Sequence, residues 1–96
     1  MLLEMGPDDA VDYKAREPVY RQLAGILAAP IRRGDWAPGE QMPSEARLIQ
    51  EYGLSRGTVR QAIAELVREG LAVVAPQRGT FVADELPPPP KGRRGR

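Results

Sequence analysis

The sequence Leu54-Ser55-Arg56-Gly57-Thr58-Val59-Arg60 opens the stretch on which the fold depends. Ser55 is suited to cap a helix, because its hydroxyl can accept a bond from a free backbone N–H in the first turn. Gly70 is suited to end that helix in the left-handed conformation. Between them, apolar residues recur at the spacing of one helical face, as Val59, Ala62, Ile63, Leu66 and Val67. The stretch therefore predicts an amphipathic helix whose start, buried face and end are all encoded locally.

The exposed start of this helix carries two arginines and no acid. Arg56 and Arg60 are four residues apart, so they lie along one edge of the helix. An arginine can form paired bonds with guanine, and a helix N-terminus favours phosphate. Because Ser55, Gly57 and Thr58 are small, the helix start can approach a nucleic acid closely. The pattern is compatible with DNA recognition and, equally, with two ordinary solvated arginines.

A first helix is predicted to begin near residues 17–18 and to end at Gly34. Pro30 interrupts its pattern, because an interior proline removes one backbone bond at a cost of about 3 kcal/mol. We expect a kink or a break around that proline, with the last turn still packed through Ile31. The alternative is a helix that ends near Ala28 and is followed by a separate turn.

A second helix is predicted to begin at Ser44 and to end at Gly53, with Glu45 in its first turn, where an acid suits the helix dipole. Only Leu54 stands between Gly53 and the capping Ser55. Two short helices joined by a tight turn with a glycine form a helix-turn-helix unit, which presents its second helix to a major groove. This spacing is a second, independent indication of DNA binding.

Residues 71–82 predict a β-hairpin with a turn before its second strand. Because a two-stranded hairpin is marginal alone, we expect it to pack against the helices through Val73 and Phe81. Its turn carries Arg78 beside Gly79. An arginine at an exposed hairpin tip can enter a minor groove, where the negative potential attracts it; the alternative is a solvated turn.

The length of 96 residues limits the chain to one small domain. The absence of Cys and His excludes disulfides, thiolate nucleophiles, imidazole bases and the usual zinc ligands. No Asp-rich loop with calcium spacing is present either. We therefore expect no catalysis, no metal and no cofactor. The few aromatic residues, 5% of the chain, also give no platform for stacking the bases of RNA.

The apolar runs are too short to span a bilayer, and the N-terminus lacks the pattern of a secretory signal. We expect a cytoplasmic protein with no membrane partner. Residues 1–16 are predicted to form a flexible acidic leader, and residues 17–84 the folded domain. Residues 85–96 are predicted to be a disordered Pro-rich spacer and basic tail, which can add salt-dependent phosphate contacts.

The order of helix, helix-turn-helix and hairpin is that of a winged helix domain, which is mainly α with a two- to three-stranded wing. Several segments resemble the N-terminal domain of GntR-family bacterial transcriptional regulators over about residues 17–83. They are Pro18-Val19-Tyr20, Ala37-Pro38-Gly39, Met42-Pro43-Ser44-Glu45, residues 54–60, Glu69-Gly70-Leu71 and Arg78-Gly79-Thr80-Phe81-Val82.

The resemblance implies sequence-specific binding to a double-stranded DNA operator, usually a palindrome and usually bound by a dimer. The family commonly has an arginine where this chain has Ala46, and Arg47 follows one residue later, rotated by about 100° around the helix. Matched position by position, the residues expected at DNA are Ser55, Arg56, Gly57, Thr58 and Arg60 on the recognition helix, Ser44 and Arg47 at phosphates, and Arg78 and Gly79 at the wing tip.

Family members usually carry a C-terminal domain that binds a small effector and dimerises. No small-molecule effector site is expected within these 96 residues, which form either a standalone regulator or a fragment of a longer one. The resulting hypothesis is a repressor-like DNA-binding regulator. The alternative is a winged helix that binds proteins through the Pro-rich tail, which an apolar recognition helix would favour. Arg56 and Arg60 count against that alternative.

Overall fold

Three helices followed by a β-hairpin form the part of the chain that the computed structural model describes, residues 10–88. The elements are α1 (Val19–Arg33), α2 (Glu45–Tyr52), α3 (Arg56–Arg68), β1 (Ala72–Ala75) and β2 (Gly79–Val82). This order confirms the predicted winged helix architecture. The first nine residues of the predicted acidic leader lie outside the described residues. The predicted basic tail also lies outside them.

Helix α1 continues through Pro30 to Arg33 and ends at Gly34, which has a left-handed φ of 87°. Two observations account for the continuity of α1 through Pro30. Ile31 is fully buried, and the carbonyl of Pro30 still accepts a bond from the Asp35 N–H at 2.9 Å. Because Pro30 lies in the last turn, the backbone bond that it cannot donate is a loss near the helix end. The predicted alternative, in which the helix ends near Ala28, is wrong.

The turn between α2 and α3 is set by three consecutive residues with different tasks. Gly53 has a φ of 65° and ends α2, because the left-handed conformation costs glycine little. Leu54 is buried and anchors the turn to the core. Ser55 caps α3, accepting a bond from the Thr58 N–H at 3.1 Å, as Ser44 does for α2 from the Arg47 N–H at 3.0 Å. These capping predictions are confirmed.

The core lies where α1 and α3 pack against each other, with α2 and the start of the hairpin closing its sides. Each fully buried aliphatic side chain removes its apolar surface from water, which is the main term holding the elements together. The largest of these buried side chains are Leu23, Ile31, Leu48, Val59, Leu66, Leu71 and Val82.

The hairpin is antiparallel and pairs Ala72 with Val82 and Val73 with Phe81. The prediction that Val73 and Phe81 pack against the helices is wrong, because Val73 is 50% exposed and Phe81 only half-buried. Ala72 and Val82 face the core instead. Side chains alternate between the two faces of a strand, so an assignment that is wrong by one residue inverts every side chain.

The connector between α1 and α2 lies along the outer edge of β2. The Gly39 N–H donates to the Val82 carbonyl at 2.9 Å, and the Met42 N–H donates to the Thr80 carbonyl at 2.8 Å. Gln41 forms an antiparallel bridge with Phe81. The wing is thus a two-stranded hairpin with a short third segment, and that segment leads directly into the helix-turn-helix.

Both ends of the described chain return to the helices. The side chain of Gln22 bonds both backbone groups of Asp12, at 2.7 and 2.9 Å. Val11 and Leu86 pack against the core as half-buried residues. None of the helices described between residues 10 and 88 has the length and apolar content that a bilayer span needs.

The two faces of the hairpin give a matched test of the fold. Val82→Ala is expected to lower the free energy of unfolding by about 1.5–3 kcal/mol, because it removes fully buried methyl groups. Val73→Ala is expected to lower it by less than about 1 kcal/mol, because that side chain faces solvent. Chemical denaturation followed by circular dichroism measures both; equal losses would contradict the assignment of the faces.

Candidate nucleic-acid interface

The start of α3 is exposed and held in place by its own hydroxyl groups. The Ser55 hydroxyl accepts from the Thr58 N–H and donates to the Thr58 hydroxyl at 3.0 Å. Gly57 is open to solvent, since a Cβ added there would meet only the Ser55 hydroxyl, at 4.0 Å. Internal packing therefore does not require a glycine at this position. Its small size keeps the first-turn backbone N–H groups accessible to an anion.

Arg56 and Arg60 both pair with one carboxylate, that of Glu45 in the first turn of α2. The Arg60 Nε donates to Glu45 Oε2 at 2.9 Å, and the Arg56 Nη1 lies 3.6 Å from Glu45 Oε1. The sequence interpretation considered only the acids of α3 itself and left these arginines without a partner. That interpretation needs correction, because the helix-turn-helix brings the start of α2 against the start of α3.

This pairing leaves both arginines accessible. Their side chains are 66% and 62% exposed, for Arg56 and Arg60 respectively, while Glu45 is 32% exposed. Because the Arg60 bond uses Nε, the terminal Nη groups of the same guanidinium keep donors for other acceptors. The carboxylate therefore brings the two guanidinium groups beside each other while they remain at the surface.

The second predicted cluster lies at the start of α2. The Ser44 hydroxyl is occupied by the Arg47 N–H, and the Arg47 Nε donates to Glu51 Oε2 at 2.9 Å, one turn later on the same helix. Arg47 follows Glu45 by two positions, which is roughly 200° around the helix axis, so their side chains leave α2 on opposite sides. Arg47 lines a surface groove together with Ser44 and Gln41, rather than joining the arginines of α3.

The wing tip holds the third cluster. Arg78 is exposed, and its side chain forms no hydrogen bond or ion pair with any residue between 10 and 88. Its carbonyl accepts a bond from the side-chain amide of Gln41 at 2.9 Å. Gly79 has a φ of 126°, a conformation that L side chains rarely adopt. The turn geometry thus requires glycine at this position, independently of any ligand.

The structure joins the starts of α2 and α3 through Glu45, and it ties the wing tip to Gln41 in the connector before α2. The sequence interpretation missed both of these contact residues as site residues. The sequence interpretation assigned Glu45 only to the helix dipole. Its position at the start of the first helix of a helix-turn-helix could have indicated a contact with the start of the second helix. Nothing in the local pattern around Gln41 indicates its contact, because its partner lies 37 residues later.

Within the described range 10–88, no cluster of acidic residues could hold a metal ion.

Similarity to known proteins points to one family for this chain. The model of the bacterial regulatory proteins of the gntR family matches residues 19–82. The mannosyl-D-glycerate transport/metabolism system repressor MngR of Escherichia coli is 41% identical over 69 residues. The match covers 72% of this chain and 29% of that repressor. The chain therefore spans less than a third of the length of this curated relative.

Solved structures show the same fold. YtrA from Sulfolobus acidocaldarius, a GntR-family transcription factor, superimposes with a TM-score of 0.72 at 33% identity, covering 79% of this chain and 80% of that one. The AraR DNA-binding domain in complex with operator ORR3 gives a TM-score of 0.69 at 35% identity, covering 85% and 95% of the two chains. This chain belongs to the GntR family of bacterial regulatory proteins and carries that family's winged helix-turn-helix DNA-binding domain.

Proposed function

We propose that this chain regulates transcription by binding a double-stranded DNA operator, with the start of α3 in the major groove. The observation that carries the proposal is the pair of exposed guanidinium groups of Arg56 and Arg60, fixed side by side at the head of a capped helix by Glu45. An arginine in this setting can donate two bonds to guanine O6 and N7. The similarity to a domain solved on its operator supports this docking.

Each cluster takes a different part in the proposed complex. Arg56 and Arg60 recognise base edges, and Gly57 allows the helix start to approach. Phosphate contacts position the domain without specifying sequence, and they belong to Ser44, Arg47, Ser55 and Thr58. Arg78 enters the adjacent minor groove from the wing tip, whose shape depends on Gly79.

The wider context of the proposal follows from the relatives. MngR is described as a repressor, which supports a repressor-like role here. A homodimer on a palindromic operator fits a domain with a single recognition helix, because two-fold symmetry in the protein requires symmetry in the site. The site of action is then the bacterial cytoplasm, where the chromosome lies. A protein-binding module is not favoured, because the exposed head of α3 is charged rather than apolar.

Selection of bound duplexes from random DNA tests the proposal directly. We expect one enriched sequence with two-fold symmetry, and binding to it that weakens steeply with salt, because phosphate contacts release counterions. Single-stranded DNA of the same sequence serves as the control. Equal binding to selected and random duplexes at every salt concentration would contradict the proposal.

Arg60→Ala is expected to weaken binding to the selected duplex by about 1–3 kcal/mol and to relax the preference at one base pair. Fluorescence anisotropy with the selected and a scrambled duplex measures both effects. Arg33→Ala is the matched control, because Arg33 is an equally exposed arginine in an ion pair, with Asp35, at the far end of α1. An equal loss on both duplexes would assign Arg60 to phosphate contact only.

Glu45→Gln keeps the shape of the side chain and removes the charge that holds the two arginines. We expect tighter binding to scrambled duplex, because a negative charge near phosphate is lost, and a smaller ratio of selected to scrambled affinity. Unfolding free energy should change by less than about 1 kcal/mol, since the pairs are exposed. Glu51→Gln is the control, because it removes the same charge from α2 and frees only Arg47. An unchanged ratio would show that Glu45 does not orient the recognition arginines.

A further inference from the structure

We propose that Gln41 is a positioning residue that fixes the wing tip relative to the helix-turn-helix, and through it the placement of Arg78. The inference rests on the proposed function, because the placed group matters only if Arg78 meets DNA. Gln41 belongs to neither the hairpin nor a helix. It lies in the connector three residues before Ser44, the cap of α2.

The first step of the argument is the side-chain contact. The Gln41 Nε2 donates to the Arg78 carbonyl at 2.9 Å, across 37 residues of sequence. The side chain of the same residue, Arg78, has no hydrogen-bond or ion-pair partner within residues 10–88. The bond therefore holds the backbone of Arg78 and leaves its guanidinium free to reach a ligand.

The second step is the space at Gly79. A Cβ built on Gly79 would lie 2.7 Å from the Gln41 Nε2, so the amide occupies the volume that any other residue would fill. The glycine thus serves two needs at once: it adopts the φ of 126° at the end of the turn and admits the amide of Gln41 against the backbone.

The third step is the rigidity of the support. The backbone of Gln41 bridges Phe81, and Met42 beside it donates to the Thr80 carbonyl at 2.8 Å. The amide is thus anchored at the edge of β2 before it reaches the tip. Within the hairpin, the turn itself is closed by the Arg78 N–H, which donates to the Ala75 carbonyl at 2.9 Å. A hairpin of two four-residue strands is marginal alone, so a second, external bond at its tip restricts the tip substantially.

The experiment combines Gln41→Met with Arg78→Ala. Methionine keeps the length of the side chain and removes the donor. Gln41→Met is expected to weaken binding to the duplex selected by the wild-type chain about three- to tenfold, the worth of one hydrogen bond. In the Arg78→Ala background it should cause no further loss. Gln50→Met, at an exposed position of α2, is the matched control and should leave affinity unchanged.

A measurement on the free protein tests whether Gln41 restrains the wing tip, independently of DNA binding. In ¹⁵N relaxation of the free protein, the order parameters of the Arg78 and Gly79 amides should fall in Gln41→Met and stay unchanged in Gln50→Met. Thermal unfolding confirms that both variants fold.

Three results would overturn the proposal. These are unchanged affinity in Gln41→Met, a loss that persists in the Arg78→Ala background, and order parameters that do not fall. A persistent loss would mean that Gln41 contacts DNA itself. If the wild-type chain selects no duplex at all, the proposed function fails, whereas the relaxation data still decide whether Gln41 restrains the tip.

Discussion

The short turn between α2 and α3 is the constraint on which the rest of the structure depends. Gly53 reverses the chain with its left-handed φ, Leu54 inserts into the core, and Ser55 restarts the helix. With so few residues, the turn restricts where the start of α3 can lie relative to the start of α2. Glu45 therefore reaches Arg56 and Arg60, although it precedes them by 11 and 15 positions.

The ion pairs of Arg56 and Arg60 with Glu45 contribute more to the orientation of the guanidinium groups than to the stability of the fold. An exposed ion pair contributes only about 0–1 kcal/mol, because water screens the charges and the side chains lose entropy. A paired arginine–guanine contact discriminates by about 1–3 kcal/mol. In the proposed complex, the carboxylate would bring the guanidinium groups together before binding and would give way to a correct base, because its pairs are the weaker contacts. Restriction before binding reduces the entropy that is lost when the complex forms.

The sequence was sufficient for those features that are encoded locally. The two serine caps, the glycine at the end of α2 and most of the apolar face of α3 follow from residues within a few positions, and the structure contains them. The exception is Val67, the last residue of the predicted buried face, which is 40% exposed near the end of α3. The face of the hairpin was predicted wrongly, because strands of four residues with the sequence Ala-Val-Val-Ala carry no alternation to fix it. The contacts of Glu45 and Gln41 escaped prediction for another reason: their partners are distant in sequence and come close only once the helices have packed.

The place of Arg47, one residue after the position where the resemblance leads us to expect an arginine, has a structural consequence. At position 46 the side chain would leave α2 about 100° from Glu45, whereas at position 47 it leaves roughly opposite to it. Arg47 consequently lines the groove that also contains Gln41 and Ser44, on the way from α2 to the wing. The four arginines assigned to DNA are therefore divided between the head of α3, this groove and the wing tip. Gln41 lines the groove and bonds the Arg78 carbonyl, so one side chain links the groove to the wing tip.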